Sequence, residues 1–200
     1  DADIEYDEAT LQSIFDKTYL EKIQLASVMA LLKIESRWDK LMIPAFIYFF
    51  KSLYPFCLSN NPKYRSVAGA AGGFILIETS ALWNIGGFSS LKSALIDDCT
   101  LAKLVKKTGG NTWIGLSKGI RTKRSYYNLS NIWSMVERTA FTQLNYSFPM
   151  LFLCTFTMVL IFIAPVAGLI FFNDLIAAIS AISILIMGFT YHPILKYNQL

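Results

Sequence analysis

The sequence predicts an α/β domain followed by two membrane-spanning helices. In the first part of the chain, short apolar runs alternate with amphipathic stretches, which is typical of strands that alternate with helices. From residue 148 onward, two long stretches carry almost no charge. The hydrophobic fraction of 54% and the mean hydropathy of +0.44 are also high for a soluble globular protein.

Local patterns predict the elements of the first domain. Residues 7–22 predict an amphipathic helix, because apolar side chains recur at helical spacing after an acidic start. Residues 23–34 form a nearly continuous apolar run that is compatible with a buried strand, although periodicity alone leaves a helix open. Residues 74–77 and 111–116 indicate two further short strands.

Glycine-rich positions separate the later elements. The run at residues 68–73 lets the main chain approach another group closely, since glycine has no side chain. Residues 79–85 and 98–107 predict helices, and each is closely followed by a glycine pair. Glycine readily adopts the left-handed conformation that closes a helix, so these pairs mark the two helix ends.

Residues 41–58 are long and aromatic, but they make a poor membrane span. Lys51 lies inside the segment, and Pro44 and Pro55 interrupt it. A charge near the middle of a bilayer is costly. We expect an interfacial segment that lies in the membrane plane; the alternative is a buried core helix.

The C-terminal region predicts two antiparallel spans, at residues 148–172 and 175–191. The first is long enough to cross about 30 Å of hydrocarbon, and the second is at the short end for a span. Basic residues, including Arg138, precede the first span, and Lys196 follows the second. The positive-inside rule therefore places the α/β domain in the cytoplasm, on a multi-pass protein of the cell (inner) membrane.

The charge balance excludes some classes of function. A net charge of +4 is too mild to indicate nucleic-acid binding. Basic residues nevertheless cluster before the spans, which is compatible either with contact to anionic lipid headgroups or with an ordinary solvated face. The cluster comprises Lys103, Lys106, Lys107, Lys118, Arg121, Lys123 and Arg124.

Cysteine and histidine indicate neither a zinc site nor a disulfide framework. Cys57, Cys99 and Cys154 are scattered, without a CxxC pair, and His192 is the single histidine. We therefore expect free thiols and a structural role for the histidine.

Two acidic groups are the candidates for chemistry. In Asp1-Ala2-Asp3, the two carboxylates would share Mg²⁺ or Mn²⁺, hard ions that prefer oxygen ligands and keep positions open for phosphate. In Asp97-Asp98, one ionised carboxylate would take a proton from an attacking hydroxyl. Each group alone also fits a solvated turn or a helix start.

The order of four segments resembles the inverting family-2 glycosyltransferases of GT-A fold. The segments are Asp1-Ala2-Asp3, Ala71-Gly72-Gly73-Phe74, Ile85-Gly86-Gly87-Phe88 and Asp97-Asp98-Cys99-Thr100-Leu101. Further stretches are similar to one bacterial branch, the hopene-associated glycosyltransferases. These stretches are residues 41–46, 53–56, 94–99 and 138–144.

The resemblance implies a role for each acidic residue. Asp1 and Asp3 would correspond to the DxD pair that binds the metal and the diphosphate of the nucleotide sugar. Asp98 would be the general base, with Asp97 in the position that the family fills with glutamate.

The resemblance also implies binding residues, with one departure from the family pattern. Gly72 and Gly73 would line the pocket for the donor sugar and the acceptor. Many membrane-bound relatives carry a Gln/Arg-x-x-Arg-Trp motif after the base, of which residues 135–139 keep only Arg138. That arginine would contact the pyrophosphate as a cation, or it would serve only as a charge that sets membrane topology.

These expectations combine into one function. Residues 1–145 would be the C-terminal part of a GT-A domain, with its nucleotide-binding strands upstream of Asp1, and the spans within residues 148–191 would anchor it. The protein would move a sugar, with inversion, from a nucleotide-diphosphate donor to a lipid or lipid-linked acceptor. The alternatives are an inactive GT-A module that binds partners and a processive polysaccharide synthase.

Overall fold

The computed structural model describes residues 3–92, 94, 96–123, 128–144 and 146–200. At residues 132, 135, 138–140, 142 and 143 it describes the main chain only. The chain divides into two compact units, Asp1–Trp133 and Ser134–Leu200.

A mixed four-stranded sheet organises the first unit. Its strands are β1 (Ile4–Tyr6), β2 (Leu25–Leu31), β3 (Phe74–Ile77) and β4 (Thr112–Thr122), in the order β1-β4-β2-β3. Strands β2 and β4 are parallel, whereas β3 is antiparallel to β2 and β1 is antiparallel to β4. The α/β class is therefore confirmed, and its assignment to the GT-A fold stays a prediction.

Helices connect these strands. In chain order they are α1 (Glu8–Leu20), α2 (Arg37–Leu53), α3 (Phe56–Ser59), α4 (Thr79–Asn84), a 3₁₀ helix (Gly87–Leu91), α5 (Asp97–Lys107), α6 (Leu129–Gln143), α7 (Phe148–Phe162), α8 (Ala164–Phe171) and α9 (Asp174–Tyr197). The helix predicted at residues 7–22 is confirmed, as are the helices predicted at residues 79–85 and 98–107.

Side chains and glycines set the helix ends, and the glycine ends are those that the sequence predicts. Asp7 caps α1, because its carboxylate accepts a hydrogen bond of 2.7 Å from the main-chain N–H of Thr10. Gly86 and Gly109 follow α4 and α5 with φ angles of +90° and +94°, a conformation that L-residues rarely adopt.

Strand β2 is buried on both faces, which explains its continuous apolar run. On one face, Leu25 packs in a core cluster with Leu101 and Val105 of α5. On the other face, Val28 packs in a second cluster with Ile14 of α1. The sheet of the first unit is thus covered by α1 on one side and α5 on the other.

Residues 41–58 form most of α2 and the start of α3. Helix α2 buries Ile43, Pro44 and Ile47, whereas Leu41 is 60% exposed. The segment therefore has one buried face and one open face. Its position in a membrane plane stays a prediction.

The second unit contains two helical segments that are long and apolar enough to cross a membrane, Phe148–Phe171 and Asp174–Tyr197, of 24 residues each. Their large apolar side chains are mostly exposed, for example Phe152, Phe171 and Phe189. Helix α9 continues through Pro193 and ends at Tyr197, six residues beyond the end predicted for the second span. The finding is compatible with membrane association, although length and composition alone support it only weakly.

Candidate active site

The first turn of α5 carries both acids of the Asp97-Asp98 pair, in different surroundings. Asp97 is exposed, and its carboxylate accepts a hydrogen bond of 3.0 Å from the main-chain N–H of Asp98. Asp98 is half-buried, and its Oδ1 accepts a hydrogen bond of 2.6 Å from the main-chain N–H of Cys99. The main-chain N–H of Gly72 also donates to Asp98.

The surroundings of Asp98 favour its protonated form more than water does. Burial raises the pKa of this carboxyl, and the charge of Asp97 raises it further. The main-chain donors at Cys99 and Gly72 act in the opposite direction but do not cancel the effect of burial. A raised pKa makes a carboxylate a stronger base, which suits proton abstraction from a hydroxyl.

The glycine-rich loop, defined as residues 68–73, is fixed by side chains that form hydrogen bonds with its main chain. Ser27 of β2 bonds both sides of Ala71: its hydroxyl donates to the carbonyl at 3.0 Å and accepts from the N–H at 2.7 Å. Cys99 of α5 donates from Sγ to the carbonyl of Ala70 at 3.3 Å. The loop is thus held by the central strand on one side and by the helix of the acid pair on the other.

The two glycines predicted to line the pocket have different neighbours. A Cβ atom at Gly72 would lie 3.5 Å from Oδ2 of Asp98. A Cβ atom at Gly73 would lie 3.1 Å from Cβ of Ala30 and 3.7 Å from Cδ1 of Ile4, the first residue of β1. The glycine-rich loop therefore contacts the base candidate at one residue and the strand that follows Asp3 at the next.

Pairing of β1 with β4 positions Asp3. Its Oδ2 accepts a hydrogen bond of 3.2 Å from Oγ1 of Thr122, a buried residue of β4. Its main-chain carbonyl accepts a bond of 2.8 Å from the N–H of Lys123. Asp3 thus directly precedes Ile4, the residue whose side chain lies near Gly73.

Two predicted site residues are not placed by these contacts. Asp1 lies outside the described residues. Arg138 lies on α6, where the structure describes its main chain but not its side chain. Within the described part of the chain, no group of three or more histidine, cysteine, aspartate or glutamate side chains is arranged to hold a metal ion.

For Lys106, the prediction that it belongs to a basic surface is wrong. It is 1% exposed, so it does not lie on the cation-rich face to which the sequence assigns it. Helical spacing contains the signal that this assignment missed, because Lys106 falls four residues after Ala102 and beside Val105, both buried on the core face of α5.

Other residues that hold the site carry no sequence signal of their own. Ser27 and Thr122 are isolated hydroxyl residues within strands, and Cys99 reads as an apolar core residue. Each acquires a role only from partners that the fold brings close, 44, 119 and 29 residues away along the chain.

Comparison with known proteins supports the interpretation of the chain as a glycosyltransferase. The family model described as Glycosyl transferase family 21 matches residues 1–197. The comparisons with curated proteins and with solved structures gave no match. The match does not support the narrower resemblance to the hopene-associated branch of family 2. Because it covers nearly the whole chain, the protein belongs to glycosyl transferase family 21.

Proposed function

We propose that the protein transfers a sugar from a nucleotide-diphosphate donor to a hydroxyl of a lipid or lipid-linked acceptor, and that Asp98 is the general base. The observation that carries this proposal is the position of Asp98. It is a half-buried carboxylate with a raised pKa, and Oδ2 lies beside Gly72, where no side chain covers it from that direction.

The proposed reaction is a single displacement. Oδ2 of Asp98 accepts the proton of the acceptor hydroxyl while the hydroxyl oxygen attacks the anomeric carbon of the donor sugar. The bond from that carbon to the diphosphate breaks on the opposite face, and the nucleoside diphosphate leaves with the bonding electron pair. The configuration at the anomeric carbon is inverted, and the proton remains on Asp98 until it passes to solvent.

Asp3 and Asp1 are the proposed ligands of a divalent cation. Carboxylate oxygens are the ligands that Mg²⁺ and Mn²⁺ prefer, and the hydrogen bond from Thr122 holds one oxygen of Asp3 in a defined direction. When bound, the cation would stabilise negative charge on the departing diphosphate. Arg138 is proposed to contact the same group as a second cation.

The membrane arrangement is part of the proposal. Residues 1–145 are proposed to be a cytoplasmic catalytic domain of GT-A type, and the two long apolar segments would anchor it in the cell (inner) membrane. The exposed side of residues 41–58 would lie at the headgroup level. This arrangement would present a lipid acceptor at high effective concentration.

The test measures nucleoside diphosphate release and glycolipid formation by the full-length protein in native membrane lipids. We expect Asp98→Asn to lower kcat by about 10²- to 10⁴-fold, the usual contribution of a positioned base. Asp16→Asn is the matched control, because Asp16 lies exposed on α1 outside the proposed site. Turnover of the Asp98→Asn variant at the control rate would remove Asp98 as the base.

A separate outcome concerns the alternative of an inactive partner-binding module. Such a module would release no nucleoside diphosphate in the wild-type form, with any nucleotide sugar offered and with Mg²⁺ or Mn²⁺ present. Wild-type turnover that depends on a lipid extract would exclude that alternative.

A further inference from the structure

Lys106 is buried inside the first unit and bonds only main-chain carbonyls among the contacts described for it. Its Nζ donates to the carbonyl oxygens of Leu58, Ser59 and Val67, at 3.2, 2.6 and 2.7 Å. An ammonium group has three N–H donors, so three acceptors satisfy it fully. No ion pair among the described residues includes Lys106.

A buried lysine without a carboxylate is an unfavourable choice for stability alone. Removing its charge from water is costly, and burial accordingly lowers the pKa of the Lys106 amine. An apolar residue of similar length would avoid that cost, but it would leave the three carbonyl oxygens without this donor. Two of the three carbonyls lie at the end of the short helix α3, and the third lies after the turns that follow it, which points to a role in fixing the course of the main chain.

The fixed connection leads directly into the candidate active site. Val67 is the last residue before the glycine-rich loop, and Lys106 lies on the same helix as Asp98, two turns further along. Thr112 also donates to the carbonyl of Ser59, at 3.3 Å, which attaches the same connection to β4. Helix α5 therefore holds the loop at its entrance through Lys106 and at its middle through Cys99.

We propose that Lys106 is a positioning residue, whose three hydrogen bonds hold residues 58–67 on α5 and so keep the glycine-rich loop in place beside Asp98. This inference rests on the proposed function of Asp98. Lys106 touches no reacting atom in this proposal. It acts through the loop, and its contribution is to keep Gly72 against the carboxylate and water away from it.

The direction of the effect on pH dependence follows from the groups around Asp98. From its own helix these are Asp97 and the thiol of Cys99, and from the loop the group is the main chain of Gly72. Asp97 is exposed and does not depend on the loop. A loosened loop would admit water to Asp98 and relieve the desolvation that raises its pKa. It would also remove the Gly72 N–H bond, which lowers the pKa, but desolvation is the largest influence, so the pKa would fall on balance.

The experiment compares Lys106→Met with Lys107→Met in the full-length protein. Lys107 is the next residue on α5 and is exposed, which makes it a matched control. For folded Lys106→Met we expect kcat to fall at least tenfold and the acid limb of kcat/KM against pH to move to lower pH. Lys106→Arg, which keeps a cation and its N–H donors, should recover part of kcat. We expect Lys107→Met to change neither quantity.

Two results would overturn the inference. One is a folded Lys106→Met variant with the kcat and pH profile of wild type. The other is available from the wild-type protein even if that variant does not fold: amide hydrogen exchange in which residues 66–73 open freely while α5 stays protected. Protection of both segments to the same degree is the expected result.

The same assay separates this inference from the proposed function. If Asp98→Asn is inactive and Lys106→Met behaves as wild type, the positioning role of Lys106 is refuted while Asp98 remains the proposed base. If Asp98→Asn turns over at the wild-type rate, the proposed base fails, and an altered pH profile in Lys106→Met would then require another explanation.

Discussion

Gly72 and Asp98 face each other across the junction of the glycine-rich loop and α5. A methyl group at Gly72 would lie 3.5 Å from Oδ2 of Asp98, which is ordinary van der Waals contact. The loop therefore places no side chain of its own against this carboxylate oxygen at Gly72. It does so without a left-handed main-chain conformation at that glycine, because the positive-φ glycines are Gly86, Gly87 and Gly109.

This relationship predicts that crowding at Gly72 affects activity more than folding. We expect Gly72→Ala to lower kcat/KM about tenfold or more, a change of about 1.4 kcal/mol, because the new methyl group covers Oδ2 of Asp98. Its thermal midpoint should stay near that of wild type. Gly69→Ala is the contrasting variant, since its Cβ would lie 2.8 Å from Cβ and Cγ of Tyr54 and should lower the midpoint instead. Equal activity of Gly72→Ala and wild type would contradict the proposed approach of the acceptor.

The raised pKa of Asp98 predicts the pH dependence of turnover. A base must be ionised, so kcat/KM should fall as the pH drops through the raised pKa, at a higher pH than for an ordinary carboxyl. Because the charge of Asp97 raises that pKa, Asp97→Asn should move the acid limb to lower pH. A pH series of kcat/KM for both proteins measures the shift, and a movement toward higher pH would contradict this electrostatic account.

The same pKa predicts a gain in stability when the base is removed. A carboxyl whose pKa is higher in the folded state contributes stability below its unfolded pKa, and this contribution is lost as the pH rises through the folded pKa. The asparagine of Asp98→Asn does not ionise, so this variant does not lose that stability as the pH rises. We therefore expect its thermal midpoint to be higher than that of wild type at pH 7. The difference should shrink toward pH 3, where both proteins are uncharged at this position.

Thr122 is predicted to position the proposed metal ligand. Thr122→Val keeps the shape of the side chain but removes the hydroxyl that donates to Asp3. Loss of such a supporting hydrogen bond typically costs about 10- to 100-fold in metal affinity or activity. We therefore expect a higher Mn²⁺ concentration at half-maximal activity, whereas Thr122→Ser should remain close to wild type. An unchanged Mn²⁺ requirement in Thr122→Val would argue against Asp3 as a metal ligand that Thr122 positions.

Close packing within the second unit gives a prediction that is independent of the active site. A Cβ atom at Gly168 of α8 would overlap Oγ of Ser180 on α9, whereas nothing lies within 4 Å of one at Gly188. Gly168→Leu should force the two helices apart and cost about 1–3 kcal/mol, seen as a lower thermal midpoint in detergent. Gly188→Leu makes the same chemical change in open space and should leave the midpoint nearly unchanged.

Local patterns are sufficient to predict most elements of the first unit, because the apolar spacing and the glycines that mark them lie within or beside each element. The strand interpretation of residues 23–34 is confirmed by β2. Strand β1 was missed, since three residues are too few to show an alternating pattern. Strand β4 extends to Thr122 instead of ending near residue 116. Its second half is polar, so it lacks an apolar pattern, and it is a strand because it pairs with β1.

The acidic residues were identifiable from sequence, but the groups that hold them were not. Asp98 stands out because two adjacent carboxylates at a helix start are chemically conspicuous. Lys106 was assigned to the surface, since lysine is rarely buried and its carbonyl partners lie 39 to 48 residues away. Such hydrogen bonds depend on how the connections pass over α5, and the periodicity of the sequence does not predict that path.

The burial of Cys99 makes this enzyme convenient for labelling. Burial raises the pKa of its thiol to about 11, so very little reactive thiolate forms beside the base at neutral pH. Cys57, in contrast, is exposed and immediately precedes Leu58, whose carbonyl oxygen accepts a hydrogen bond from Lys106. A maleimide dye on Cys57 would thus report whether residues 58–67 move during turnover. The sulfur of Cys99, next to the acid pair, would stay unmodified.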